Sequence, residues 1–324
     1  MKNVRILTLA WDWGIDDLRD LCLPSILQPG NIPWLANNGF HVTLTTYTIA
    51  RDAERLREVL ATAFERVQFP REMISIGINQ ADLPAGASGE MKRLAFSAEC
   101  ERAIAESAPV MMLAADAFYG DGSLRNITLC TQRPRSATGT LYTRVKREPF
   151  LHLLRAYSNA FPGRPVSNAR LVDMALRTEL ESIARSHVEA DRNASFLTSA
   201  SFRTLSGDLD CAIYHLPSPA MFWPEISDLQ FFAGWCYGMF EALDHMWPQK
   251  LIAEGRWQYI PSSDLFFLAE LNSETVEQQH TLEEQDGRRH NERFVIEVPS
   301  TLMSEMVVAT LRREPYLSGA GSSA

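Results

Sequence analysis

The chain has 324 residues and carries 31 Lys and Arg against 40 Asp and Glu, a formal net charge of −9. That length suffices for one large domain or two modest ones, each with a real core. The acid excess argues against a broad cationic surface for nucleic acid or anionic lipid, although it leaves room for a local basic groove.

Residues 4–11, VRILTLAW, form a short apolar, β-branched run of the kind a strand buried on both faces has. A second run, FHVTLTTYT at 40–48, follows the Gly39 turn, and RDAERLREVLATAFERV at 51–67 has helical periodicity with its charges on the outer face. EMISIGI at 72–78 predicts a third strand, GEMKRLAFSAECERAIAESA at 89–108 an amphipathic helix, and PVMMLAAD at 109–116 a fourth strand. Alternating strands and helices predict an α/β fold, a mostly parallel central sheet flanked by helices. In such sheets ligands bind beyond the carboxyl ends of the strands, which is where Asp116 would stand.

The second half predicts a helix at 168–190, and 228–247 reads as a buried helix or a broken aromatic segment, too polar at its ends for a membrane span. Residues 273–293 read as a solvated loop and 316–324 as a disordered tail. Cys22, Cys100, Cys130, Cys211 and Cys236 have neither Cys-x-x-Cys nor zinc spacing and read as reduced core thiols. The amino terminus lacks a spanning segment and a signal-like cleavage site, so the expected location is cytoplasmic.

Acids beside apolar runs are the candidate chemistry. Asp116 directly follows five apolar residues and needs a partner; a hydrated divalent cation is the usual one where phosphates are held. Asp121, with Gly122 and Ser123, reads equally as a turn into the helix SLRNITLC. Asp208 and Asp210 read as a solvated turn, and His215, after the run CAIY, as a structural histidine or a ligand. Asp264 is a helix cap or a general base, and Glu270, inside FFLAEL, a half-buried acid or a base. Trp11 and Trp13 are able to stack a base or sugar, or to pack in the core. A Gly-x-Gly-x-x-Gly loop, a Walker loop, a Gly-x-Ser-x-Gly elbow and a His-Glu-x-x-His helix are all missing from the sequence. The loop WDWGIDD after the first strand is acidic where a dinucleotide fold would present glycines to the pyrophosphate.

Residues 18–48 resemble the opening of a group of bacterial glycosyltransferase-like proteins of GT-A type, through Leu23, Pro24, Ser25, Leu27, Gly30, Asn31 and Pro33. MMLAADAFYGDGSL, CAIYHLPSPAMFWP and YIPSSDLFFLAELN are similar to three later segments of that group, with Ala115, Pro217 and Ser262 replacing its proline, second histidine and first aspartate. The resemblance implies transfer of a sugar from a nucleotide-diphosphate-sugar donor to an acceptor (glycan, small molecule or protein), assisted by Mn²⁺ or Mg²⁺ and without nucleic acid. It places Asp116 in the metal or donor role and His215 and Asp264 on the rim of the acceptor side; a donor across the strand ends is then expected to meet Trp11, Thr46, Tyr47 and Asp116, the metal Asp116 and His215, and the acceptor His215 and Trp223, with Asp264 or Glu270 as the base. Residues 1–150 would form the donor half and 151–315 the acceptor half of the same domain. The alternatives are a nucleotidyltransferase, which would need a basic Gly-rich loop after the first strand, and a non-catalytic binding or assembly protein that keeps the sheet.

Overall fold

The computed structural model describes residues 2–81, 88–179, 205–206, 209–211, 220–233, 247–258, 260, 262–272 and 310–312. The chain divides into two compact units, residues 1–140 with 216–260 and residues 141–215 with 261–324.

The first unit is α/β. Strand β1 (Lys2–Leu9) is followed by a helical run over α1 (Gly14–Asp17), a π turn (Leu18–Cys22) and α2 (Leu23–Ile26), then by α3 (Ile32–Asn37) and β2 (Phe40–Ile49). Pro24 has no N–H to return to the preceding turn, and the wider π turn, closed by the Leu23 amide on the Leu18 carbonyl, lies just before it. Next come α4 (Ala53–Glu65), β3 (Ile74–Ala81), α5 (Ser88–Glu106), β4 (Val110–Leu113), β5 (Ala117–Tyr119), α6 (Ser123–Cys130) and β6 (Ala137–Thr138).

In the second unit β7 (Tyr142–Lys146) leads into α7 (Arg147–Ala160) and α8 (Asn168–Arg177), followed by β8 (Leu205–Ser206) and β9 (Leu209–Cys211). The chain then returns to the first unit with β10 (Met221–Phe222), α9 (Ile226–Ala233), α10 (Trp247–Ala253) and β11 (Trp257–Gln258). β12 (Leu268–Asn272) and β13 (Thr310–Arg312) complete the second unit, where β12 lies parallel to β7 and β9 pairs antiparallel with β8 and β13.

The seven-stranded sheet has the order β11-β6-β10-β4-β1-β2-β3, and only β10 runs against the others. Leu7, Leu9, Tyr47 and Ile49 pack with Met91, Ala95, Phe96 and Cys100 of α5, so α5 covers that face. Residues alternate across a strand, which turns Ile6, Thr8, Leu44, Thr46 and Thr48 to the opposite face. The chain moves from β1 to β2 to β3 in one direction and then returns past β1 to β4, and with right-handed crossovers the returning helix takes the other face. The helix that enters β4, α5, therefore lies on one face, while α6, which follows β4, packs beside α3 on the other.

The four strands, the helices at 51–67 and 89–108 and the helix after Asp121 stand where the sequence pattern expects them. Two expectations change. Of the helix expected over 168–190, α8 covers Asn168–Arg177 and ends there: the Thr178 hydroxyl bonds back to the Met174 carbonyl, the Lys146 amide takes the Thr178 carbonyl, and Glu179 bridges to Val145, while 180–190 lie outside the described residues. Cys130, expected in a core, is exposed, whereas Cys22 and Cys100 are buried thiols. The expected helix at 228–247 coincides with α9 only over its first residues, and 234–246 lie outside the described residues, as do 273–293 and 316–324. Among the described residues no helix is long and apolar enough to cross a membrane.

Candidate functional site

Between β1 and β4 the sheet has its topological switch point. Thr8 is in register with Leu113, so the two strands end side by side, one leading into Ala10–Gly14 and the other into Ala114–Asp116. Ligands of open α/β sheets bind beyond the carboxyl ends of the strands at such a point. Asp116 occupies the short turn between β4 and β5 and is half-buried. The Tyr119 hydroxyl, itself buried, accepts the Ala114 amide at 2.8 Å and closes that turn. The Cys22 thiol in the π turn is pushed up by its burial and then by the Asp116 charge, which brings the Asp116 carboxylate near the α1–α2 run.

Asp121 and the residues after it are committed to the framework. Asp121 Oδ1 accepts the Gly30 amide at 2.6 Å; burial pushes this carboxyl up, against the amides of Gly30 and Gly122 and the Arg125 charge. Asn31 Oδ1 accepts the Leu124 amide at 2.9 Å, while its Nδ2 donates to the carbonyls of Ser25 and Gly120. Gln28 Nε2 donates to the Tyr119 carbonyl. Segments 23–33 and 111–124 thus interlock through backbone groups, and the latch holds the stretch that follows the Asp116 turn.

The other residues expected on the donor side sit on both faces of the sheet. Trp11 is half-buried against the α5-side core, and Trp13 is 69% exposed. Tyr47 is buried with its hydroxyl donating to Glu99 Oε1 at 3.0 Å, inside a network in which Arg5 pairs with Glu99 at 2.8 Å and Arg102 reaches both. Burial and the Glu99 charge push this phenol up to about 12. Thr46 lies on the opposite face, fully buried, and its Oγ1, like those of Thr8 and Thr48, has no hydrogen-bond partner among the described residues.

Trp223 follows β10. Because β10 is antiparallel, with Phe222 opposite Val110, Trp223 stands at the amino end of the sheet, the end away from Asp116. Its indole N–H donates to the Thr131 carbonyl at 2.5 Å. Asp264 and Glu270 belong to the second unit. Asp264 is exposed, its amide donating to Ser262 Oγ and its carbonyl accepting Asn168 Nδ2. Glu270, half-buried on β12, accepts from Arg144 Nε at 3.2 Å. His215 and Asp208 lie outside the described residues, and of Asp210 only the strand is described.

Among the described residues no group of three or more His, Cys, Asp and Glu side chains gathers as a metal site. A single half-buried carboxylate fits a hydrated Mg²⁺ or Mn²⁺ that takes its other ligands from phosphate and water, and does not fit a cation enclosed by protein. The sequence reading passed over Arg51 and Arg55. Both stand just past the carboxyl end of β2 and pair with Asp12 and Asp16 of the loop after β1. Their signal, RDAER directly after a strand, was legible only as a charged helix face.

No protein-family model matches the chain, and no curated protein matches it in sequence. Among solved structures, the chain is similar to mouse xyloside xylosyltransferase 1 in its apo form, at 10% identity and a TM-score of 0.29, over 49% of this chain and 59% of that one. The chain thus spans less than two thirds of that structure's length.

Proposed function

We propose that the protein is a glycosyltransferase with a GT-A-like nucleotide-binding half, drawing its sugar from a nucleotide-diphosphate-sugar donor. One observation carries the reading: the switch point between β1 and β4 is flanked on one side by Asp116 and on the other by the Trp11–Trp13 loop, within a single compact unit. The donor would cross the carboxyl ends of β1, β2 and β4, its base or sugar beside the tryptophans and its diphosphate toward Asp116. A divalent cation with Asp116 as its protein ligand would neutralise the leaving diphosphate when bound. The two candidate bases are Asp264, which is exposed, and Glu270, which is half-buried on β12. The amino-end position of Trp223 removes it from this reading.

The test is a thermal-shift and donor-hydrolysis panel of nucleotide sugars with and without Mn²⁺, on the wild type and Asp116→Asn. The expected result is a shift with one donor class and a loss of turnover of at least about a hundredfold in the variant. Absence of any donor shift, or equal turnover in the variant, overturns the proposal. A non-catalytic binding protein would give a shift without hydrolysis.

A further inference from the structure

The loop after β1 is locked by five charged side chains. Arg51 is ion-paired with Asp12 and lies 3.9 Å from Asp52; Arg55 donates to the Asp12 carbonyl at 3.0 Å and pairs with Asp16 at 2.5 Å. The Asp12 amide donates to Asp52 Oδ2 at 2.7 Å. Together these bonds hold Asp12 at φ 50°, a left-handed conformation that a residue other than glycine keeps only when its surroundings impose it. The next residue, Trp13, is the most exposed large apolar side chain among the described residues.

We propose that Arg51 and Arg55 form a receiving site for a phosphoryl anion, kept closed in the free protein by Asp12 and Asp16. Oxygens of the anion take the place of the two carboxylates on the guanidinium groups, Asp12 leaves its left-handed conformation, and Trp13 moves with it. Insofar as the anion is the donor's diphosphate, the inference rests on the proposed function.

Two features favour exchange over a permanent pin. The pairs are exposed, with Arg51 and Asp12 at 66% and 47% and Arg55 and Asp16 at 44% and 39%, so each is weak and readily broken. A pyrophosphate carries more charge than the carboxylates it replaces and presents oxygens that match a guanidinium fork.

The experiment titrates the whole protein with inorganic pyrophosphate and, separately, with nucleoside diphosphates and nucleotide sugars, by calorimetry and by acrylamide quenching of tryptophan fluorescence. Trp13→Phe identifies the signal from Trp13. Pyrophosphate is expected to bind, to change the quenching in the wild type but not in Trp13→Phe, and to bind at least about tenfold more weakly to the double variant Arg51→Ala/Arg55→Ala. Asp12→Gly, which tolerates the positive φ and removes the competing carboxylate, is expected to bind severalfold more tightly. Should the double alanine variant fail to fold, Arg51→Lys/Arg55→Lys keeps the charge, loses the fork and carries the comparison.

Pyrophosphate that does not bind, binds the arginine variants as it binds the wild type, or binds Asp12→Gly no more tightly overturns the inference. A nucleotide sugar turned over undiminished by the double variant overturns it while leaving the proposed function standing. Pyrophosphate held through the arginines with no nucleotide sugar bound upholds the inference and sinks the function.

Discussion

Asp121 Oδ1 accepts the Gly30 amide at 2.6 Å, and a Cβ on Gly30 would stand 2.7 Å from that oxygen and 2.8 Å from the Gly122 nitrogen. The Gly122 nitrogen is backbone, held at the start of α6 by a left-handed glycine at φ 87°, so it cannot yield as a flexible side-chain end would. Gly30→Ala is expected to cost about 2–3 kcal/mol in urea unfolding. Asp121→Ala, which strips the Gly30 amide of its acceptor, is expected to cost about 1–3 kcal/mol. An alanine at position 30 that unfolds at the wild-type midpoint would refute the latch.

Thr46 poses the converse problem, a hydroxyl buried without a protein partner. Valine has the same shape without the oxygen. Thr46→Val is expected to raise stability by about 1 kcal/mol, since it removes a polar group whose desolvation is not repaid. If the Thr46 hydroxyl also serves the donor, the variant gains stability and loses donor affinity together. A loss of stability instead would mean that buried water bridges the hydroxyls of Thr8, Thr46 and Thr48.

Tyr47 joins the sheet to α5 through Glu99. Its phenol is pushed up by burial first and by the Glu99 charge second, to about 12 against an unfolded value near 10. A raised folded pKa means that the stabilising contribution is complete below about pH 10 and fades as pH climbs toward 12. Tyr47→Phe is therefore expected to flatten the alkaline limb of the stability profile between those values and to remove the latest-titrating component of the phenolate absorbance. A phenolate titration unchanged by the substitution would place the Tyr47 proton elsewhere.

Much of this architecture is written locally in the sequence. β1, β2 and β4 are apolar because helices cover both of their faces, and the acid after MMLAA marked the end of a strand without any knowledge of its neighbours. β6 and β10 have two residues each, too few to have a period, and β10 finds β4 about a hundred residues away in the chain. Nothing near Trp223 signals that its strand runs backwards and carries it to the amino end. At Arg177 the helical pattern gives no stop signal, but the pairing of Glu179 with Val145 ends α8 there. Arg51 and Arg55 read as solvated charges until strand order sets the end of β2 beside the end of β1. Strand order is a property of the whole chain, and the switch point depends on it.

Asp228 provides a test of the opposite end of the sheet. It is fully buried on α9 and accepts from Arg256 Nη1 at 3.0 Å and Nη2 at 2.8 Å, Lys250 Nζ at 3.0 Å, Trp247 Nε1 at 3.3 Å and the Glu225 amide at 2.8 Å. Burial by itself would raise this carboxyl, but the Arg256, Glu225 and Lys250 donors outweigh it and hold it below its ordinary value. With the folded value depressed, the unfolded chain binds the proton more readily, so stability rises with pH through that range. The contribution is complete above the unfolded value of about 3.9 and is lost as pH falls through the lower folded one. Asp228→Asn keeps the shape, removes the charge and leaves Arg256, only 4% exposed, short of its main partner. The expected cost at pH 7 is near the lower end of about 3–5 kcal/mol, because Glu254 still holds Arg256 Nη1 at 2.9 Å. As pH falls below the ordinary carboxylate range, the wild type loses this contribution and the variant does not, so the gap between their urea midpoints should narrow. A gap of the same size at pH 7 and pH 3 would mean that the Asp228 charge does not hold α9 and α10 to the sheet.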